Sequence, residues 1–583
     1  MWKLFFKYSK PYKKEFFIAL ITVTFEAALE LSCPFLMNLI LQDGIILNPD
    51  GLTYTIDVPF LITISIIMVV CGILAFVFGV IFAKYVAIYS KAVGYEIRKE
   101  EYKKISSYSF HNLDNISTSS LLTRLTNDIQ IISDTISNSF RPLFRSPVMM
   151  IGTLIVAAIT SPELSLVFFI AIPLLALIMF FIVKNVKPKY LQIQKIVDKM
   201  NSTTKEDIVS IRTIKSYVKE NYEVERFKKI NEQSRQISNK ASGINALMMP
   251  AQELVLYATI VGILFLGGYL NQKPEFAYIV LSISMFLTYV NQLLATVQMF
   301  TNVALQFNRA EASVIRVNQV FDVNSELIDN KDSTLKIGNG NVTFKNVSFS
   351  YSNDKNYVLS DINFTINNGD FIGIVGQTGS SKTTLINLLL RFYDVSEGEI
   401  LIDGNNIKNY SLHELRKNIA VSFQNPFLFN DTVKNNIKWG KKDATDEEVY
   451  KAAKIACCYD FITNDLKDGF DTMISEGGTN LSGGQRQRVC LARAILLHPK
   501  ILILDDSFSA LDRLTETKVK ENLKRECSDI TKIVISQKIS TIKDCDNIIV
   551  LEKGHITHIG THSYLNEVDE IYKDINAIQN EGL

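Results

Sequence analysis

The sequence predicts a multidomain membrane protein: a six-helix transmembrane domain with long cytoplasmic helical extensions, followed by an α/β domain. Three observations carry this. Six predominantly apolar segments lie before about residue 302, long polar stretches separate some of them, and from Val342 onward short β-branched runs alternate with helical ones. Hydrophobic residues make up 47% of the 583, and the mean hydropathy is positive, which is unusual for a soluble enzyme. The excess sits in the first part of the chain.

The apolar segments span residues 15–41, 59–83, 140–160, 164–184, 245–270 and 277–301. Each is close to or above the roughly 20 residues that a bilayer-crossing helix needs. An even number returns the C-terminal domain to the side of the N-terminus. Lys3, Lys7, Lys10, Lys13 and Lys14 precede the first run and hold that side in the cytoplasm. A signal peptide has the same grammar, but this run is too long and lacks a small-residue cleavage site. The expected location is therefore the cell membrane, multi-pass, with the N-terminus and the C-terminal domain cytoplasmic.

The spacing is uneven. About 55 to 60 polar, helix-favouring residues separate the second span from the third and the fourth from the fifth, while Ser161, Pro162 and Glu163 alone join the third to the fourth. Long cytoplasmic extensions and short external turns follow. The run from Lys84 to Ile136 keeps amphipathic spacing except near Ser109 to Ser120, and a second break lies near Thr204 to Tyr217. Each is either a helix-to-helix corner reaching toward the C-terminal domain or a plain surface loop.

Polar residues inside spans are costly. Glu26 and Glu30 share one face of the first helix and Glu253 lies in the fifth. They either contact a cationic substrate or are protonated or paired structural groups. Pro34 and Pro173 are expected to kink their helices. The net charge of +1 offers no basic footprint for nucleic acid. Seven cysteines, at positions 33, 71, 457, 458, 490, 527 and 545, form neither a metal-ligand spacing nor a disulfide framework, and the neighbours Cys457 and Cys458 suit a reducing cytosolic domain.

The domain boundaries read as a transmembrane domain over 1–320, a polar linker over 321–340 and a second domain over 341–583. In that second domain, the strand Phe371 to Val375 runs into Gly376, Gln377, Thr378, Gly379, Ser380, Ser381, Lys382, Thr383 and Thr384, then an apolar helix. This is the setting of a phosphate-binding loop, so the expected fold is an α/β P-loop nucleotide-binding domain. Backbone N–H groups cradle phosphates, Lys382 reaches the β and γ oxygens, and Thr383 ligates magnesium. Ser381 stands where glycine is usual and strains the loop. The strand Ile501 to Leu504 ends at Asp505, suited to hold magnesium. Gln424, after the strand Ile419 to Phe423, either ligates magnesium or positions water. Tyr351 is placed to stack on an adenine ring or simply to pack.

The run Leu481, Ser482, Gly483, Gly484, Gln485 completes the pattern. With the six spans and the P-loop, it resembles the ATP-binding-cassette exporters of the half-transporter type, over essentially the whole chain. The resemblance implies ATP and Mg²⁺ as cofactors and a nucleotide-binding domain with a helical subdomain. It implies that Tyr351 stacks on adenine and that Gly376–Thr384 holds phosphate. Gln424 belongs to the glutamine loop, Leu481–Gln485 is the signature, and Asp505 is the magnesium residue. Asp506 holds the catalytic-base position, Ser509–Asp512 the loop that communicates between subunits, and Gln537 the switch position. Two cassettes close head to tail, each ATP lying between one P-loop and the other signature.

Two positions depart from the family. Asp506 stands where Glu is expected and Gln537 where His is expected. Shortening a carboxylate by one methylene displaces it by about an ångström, which can cost on the order of a hundredfold. An amide cannot carry the proton that His can, a role worth roughly a hundredfold or more. A homodimer would hold two such sites, whereas a heterodimer escapes. The expectation is the degenerate-site subunit of a heterodimeric, multidrug-type exporter, with an ABC-type transport ATPase activity, whose partner half-transporter supplies its own Glu and His. Alternatives are an ATP-gated regulatory or channel-like protein and a slow homodimeric exporter. A soluble cassette is excluded by the spans. Cargo stays open among small molecules, lipids and peptides, and membrane lipids are obligatory neighbours. The short stretch before the first span leaves no room for an N-terminal peptidase domain.

Overall fold

The computed structural model describes residues 7–47, 54–270, 279–324, 327–352 and 356–581. They form two compact units, Met1–Ser106 with Thr118–Val323, and Ser107–Ser117 with Asn324–Leu583.

The first unit is built from long helices: Lys13–Asp43, Val58–Ser106, Ile129–Thr160, Pro162–Val209, Glu220–Ala246, Met248–Leu270 and Ile279–Asp322. At 1.5 Å per residue, the 49-residue helix Val58–Ser106 is about 73 Å long, more than twice the roughly 30 Å hydrocarbon core. Its remainder is the extension that the polar spacing predicts. Among the described residues, five helical segments are long and apolar enough to cross a membrane. The sixth expected span, 277–301, is not among those five; it falls on Ile279–Asp322, with its first two positions outside the described residues.

Turns follow local chemistry. Ser161 is extended, accepts the Leu164 N–H and precedes Pro162, so one helix stops and the next starts within a residue. The helices continue through Pro34 and Pro173. Glu26 pairs with Arg141 and Glu30 with Arg145, across two helices that each repeat their charge at i, i+4. The paired reading of these carboxylates therefore holds in the structure. Glu253 is exposed on Met248–Leu270. Just before the third helix, Asp128, the last residue of a one-turn π segment at Arg124–Asp128, accepts bonds from Arg316 Nε at 2.8 Å and Ser313 Oγ at 2.8 Å.

The second unit carries two sheets. A six-stranded sheet has the order His555–Gly560, Asn547–Glu552, Phe371–Val375, Thr531–Ile535, Ile501–Asp505, Ile419–Ser422. All neighbours are parallel except the His555–Gly560 edge. The three central strands are buried at every position, the continuous apolar pattern of strands covered on both faces. Register places Ile533 beside both Ile372 and Ile503. Because these strands run parallel, Val375, Ile535, Asp505 and Ser422 all end on one edge, where open α/β sheets bind ligands. An antiparallel sheet, Leu359–Ile366, Val342–Phe349, Glu397–Ile402 and Asn405–Asn406, completes the framework. Between Ile419–Ser422 and Ile501–Asp505 the chain is mostly helical.

The break near Ser109–Ser120 is a corner rather than a plain loop. Ser109 and Asn112 form a reciprocal cap on the short helix Phe110–Asp114. That helix belongs to the second unit: Phe110 stacks on Phe392 at 4.1 Å between centroids, and Tyr393 donates its hydroxyl to Asp114 at 2.6 Å. The Asp114 bond and burial push the Tyr393 phenol up, burial contributing most. The second break forms the helix Ile211–Ser216, followed by exposed Tyr217 and Val218.

Candidate nucleotide site

The edge shared by the four strand ends opens into a cavity of about 350 Å³. It is lined by Thr378, Gly379, Ser381, Lys382, Thr383, Thr384, Gln424, Asp505, Asp506 and Gln537, with Ile535 and Ser536. Sequence positions more than 150 residues apart meet here because the sheet is parallel.

The loop is preorganised around its lysine. Lys382 Nζ donates to the carbonyls of Gly376 at 2.7 Å and Gln377 at 2.9 Å, and to Ser380 Oγ at 3.1 Å. Burial lowers its pKa, while Asp505 and Asp506 act to raise it. Gly376 is needed sterically: a Cβ there would lie 2.3 Å from the Leu551 carbonyl oxygen and 2.5 Å from Ser380 Oγ. Ser381, the non-glycine position, has φ 72 and ψ 24, left-handed backbone that costs an L-residue about 1–2 kcal/mol. The expected strain is therefore present. Beyond it, Lys382–Leu389 is a helix whose first turn meets the cavity.

The two carboxylates sit differently. Asp505 is 4% exposed, and burial, then the adjacent Asp506 charge, push its pKa up to about 6 against the pull of Lys382. Asp506 has φ 49, its N–H fixed to the Ile535 carbonyl at 2.9 Å, and its Oδ2 accepts from Gln424 Nε2 at 3.4 Å. Gln537 follows the central strand, is exposed, and lines the same cavity.

These residues fit ATP and magnesium. Two adjacent carboxylates, Asp505 buried and Asp506 beside it, face the single charge of Lys382, a setting that favours an added cation. The oxygen donors on offer, the Thr383 hydroxyl, the Asp505 carboxylate and the Gln424 amide, suit Mg²⁺, which dehydrates reluctantly and takes few protein ligands plus phosphate oxygens. Among the described residues, no group of three or more His, Cys, Asp or Glu could hold a metal alone.

Tyr351 does not line the cavity. Its ring is 39% exposed, braced edge-on by Phe349 at 4.8 Å and Tyr393 at 5.1 Å, and its hydroxyl lies 3.1 Å from Thr384 Oγ1. An exposed face held beside the P-loop helix suits ring stacking.

Leu481–Gln485 also lies outside this cavity. Ser482 caps the helix Gly483–Leu496, accepting the Gln485 N–H at 3.2 Å while Gln485 Oε1 accepts the Ser482 N–H at 2.9 Å. Ser482 is exposed and Gly483 and Gln485 half-buried, so a helix N-terminus is presented outward. A Cβ on Gly484 would stand 2.7 Å from the Ala510 carbonyl oxygen. Sequence reasoning missed Gln487, which ties this helix to the loop Ser509–Asp512: Nε2 donates to Ser509 Oγ at 3.0 Å and Oε1 accepts the Ala510 N–H at 3.1 Å. Asp512 caps the next helix through Thr515, whose bonds hold the carboxyl below its usual range.

Comparison with known proteins agrees with this geometry. Residues 16–297 match the ABC transporter transmembrane region and residues 359–509 match the ABC transporter domain. The chain is 34% identical over 577 residues to the uncharacterized ABC transporter ATP-binding protein YknU of Bacillus subtilis, covering 98% of this chain and 96% of that one. It is 33% identical over 577 residues to an ATP-dependent lipid A-core flippase of Haemophilus influenzae, with 98% and 96% covered. A bacterial Atm1-family ABC exporter solved with ATP bound shares the fold, with a TM-score of 0.80 at 24% identity over 97% of this chain and 98% of that one. A membrane-embedded helical region and a P-loop cassette in one polypeptide, both matched over nearly full-length relatives, place this chain in the ABC transporter family as a multi-pass exporter half-transporter.

Proposed function

We propose that this chain is one subunit of a heterodimeric ATP-driven exporter, holding ATP at a weakly hydrolytic site and lending its signature to the catalytic site of a partner. The carrying observation is the division within the cassette. Asp506 and Gln537 line the cavity beside Lys382, while the capped signature helix lies outside it and faces outward.

Lys382, Thr383 and Asp505 would hold the nucleotide and its magnesium, which would supply charge neutralisation at the phosphates. Gln424 and Asp506 orient water near the γ-phosphate. Left-handed backbone and the Ile535 bond hold the Asp506 main chain, so only side-chain rotation is open to a carboxylate one methylene short. Gln537 offers an amide donor and no titrating group. Both features favour retention of ATP over its cleavage. Six spans, with the sixth on Ile279–Asp322, return the cassette to the cytoplasmic side.

A lipid cargo accords with the names of the flippase relatives, and drug and peptide cargo stay open. The test is to purify the chain alone and with a co-expressed half-transporter carrying Glu and His. Low turnover alone and high turnover together support the proposal. High turnover by the chain alone sinks it in favour of a homodimer. ATP-dependent accumulation in inverted vesicles separates an exporter from a gate that merely requires bound ATP.

A further inference from the structure

The helix Glu570–Glu581 is anchored at its start and reaches the switch segment near its end. Asp569 accepts the Tyr572 N–H at 2.8 Å and the Thr557 hydroxyl at 2.5 Å, and lies 2.9 Å from His558 Nδ1. Tyr572 is fully buried, 2.7 Å from His562 Nδ1, and Ile571 and Ile575 pack on the core of the cassette. Two turns later, Gln579 Nε2 donates to the Gln537 carbonyl at 2.7 Å, and Gln579 Oε1 accepts the Ile539 N–H at 2.8 Å.

One amide therefore bonds the backbone on both sides of Lys538. Its orientation is unambiguous, because the flipped amide would set N–H against N–H and oxygen against oxygen. Within the segment itself, the Lys538 N–H bonds Ser536 Oγ at 3.0 Å. No side chain other than Gln579 ties residues 537 and 539 to another element among the described bonds.

We propose that Gln579 is a positioning residue that latches the switch segment, so that the C-terminal helix sets how long ATP stays on this chain's phosphate loop. The proposal rests on the reading that Gln537 closes over nucleotide held by Gly376–Thr384. Loss of the latch frees the backbone that carries Gln537, and nucleotide leaves faster.

The experiment measures release of a fluorescent Mg-ATP analogue from the full-length chain in nanodiscs. Gln579→Met keeps the side chain's length and removes both bonds. Release should rise on the order of 5- to 100-fold, while the melting temperature of the nucleotide-free chain falls by only a few degrees, as loss of two hydrogen bonds requires. Gln579→Glu supplies a readout that a merely structural role would not move. Ionised at pH 8, it sets a carboxylate oxygen against the Gln537 carbonyl and releases fast. At pH 4, below the usual glutamate value of about 4.3, most of it is protonated, its O–H donates to Gln537 while its carbonyl accepts from Ile539, and release returns toward the wild-type rate at that pH. Wild-type release in Gln579→Met, or pH-independent release in Gln579→Glu relative to wild type, overturns the latch. Rapid ATP turnover by the chain alone would instead contradict the retention site, while release stays measurable.

Discussion

Gln424 donates its amide to the carboxylate of Asp506 across 3.4 Å, so two residues 82 positions apart meet in the cavity. The bond is long, whereas the Asp506 main chain is held by the Ile535 carbonyl at 2.9 Å. Asp506→Glu extends the carboxylate by about the ångström that the positional argument identifies, and with Gln537→His it restores an acid-base pair. In the proposed heterodimer this double change should alter total turnover less than threefold, because turnover there is assigned to the partner site. In the chain alone it should raise turnover by about tenfold or more, read by phosphate release.

The signature behaves oppositely. Ser482→Ala removes the cap that accepts the Gln485 N–H, typically worth about 1 kcal/mol, and Gly484→Ala drives a methyl into the Ala510 carbonyl. Both should nearly abolish turnover of the heterodimer. ATP affinity of this chain's own loop should be unchanged within about twofold, since Leu481–Gln485 does not line that cavity. Equilibrium binding of a fluorescent nucleotide beside turnover separates the two effects.

Ser381→Gly should stabilise the cassette by about 1 kcal/mol, because glycine adopts the left-handed backbone at φ 72 without the Cβ penalty. Thermal unfolding reads the gain. No gain would mean that the unfolded-state entropy of glycine offsets the relief.

Asp505 supplies a pH signature. Its folded pKa, about 6, lies above its unfolded value near 4, so the folded state binds the extra proton between those values. Stability from this group is therefore present at low pH and lost as pH rises through about 6. The nucleotide-free chain should gain stability between pH 7 and pH 5, Asp505→Asn should flatten that rise, and Mg-ATP affinity should fall over the same interval as the carboxylate is neutralised.

Phe110→Ala tests the corner. Removing a ring stacked 4.1 Å from Phe392 should loosen Phe110–Asp114 from its unit. Transport into inverted vesicles should fall several-fold while ATP turnover persists, measured in the same preparation.

Much of this was legible in the sequence. The apolar lengths placed the helices, and the strand-loop-helix order around Gly376–Thr384 placed the site, because a parallel sheet brings strand ends to one edge. The partners of Glu26 and Glu30 were legible but overlooked: Arg141 and Arg145 repeat the same i, i+4 spacing at the start of the third span. Gln487, Phe392 and Gln579 were not legible. Each acts through contacts fixed by tertiary packing, and nothing in the local pattern of a glutamine or phenylalanine announces a partner far along the chain.

The most direct test reads which nucleotide this chain retains. The heterodimer is allowed to turn over Mg-ATP labelled at the α-phosphate and bearing a photo-crosslinking adenine, then irradiated, and the nucleotide bound to this chain is identified. Intact ATP is expected on the Gly376–Thr384 loop after many turnovers of the complex. ADP on this chain, in proportion to total turnover, would contradict it.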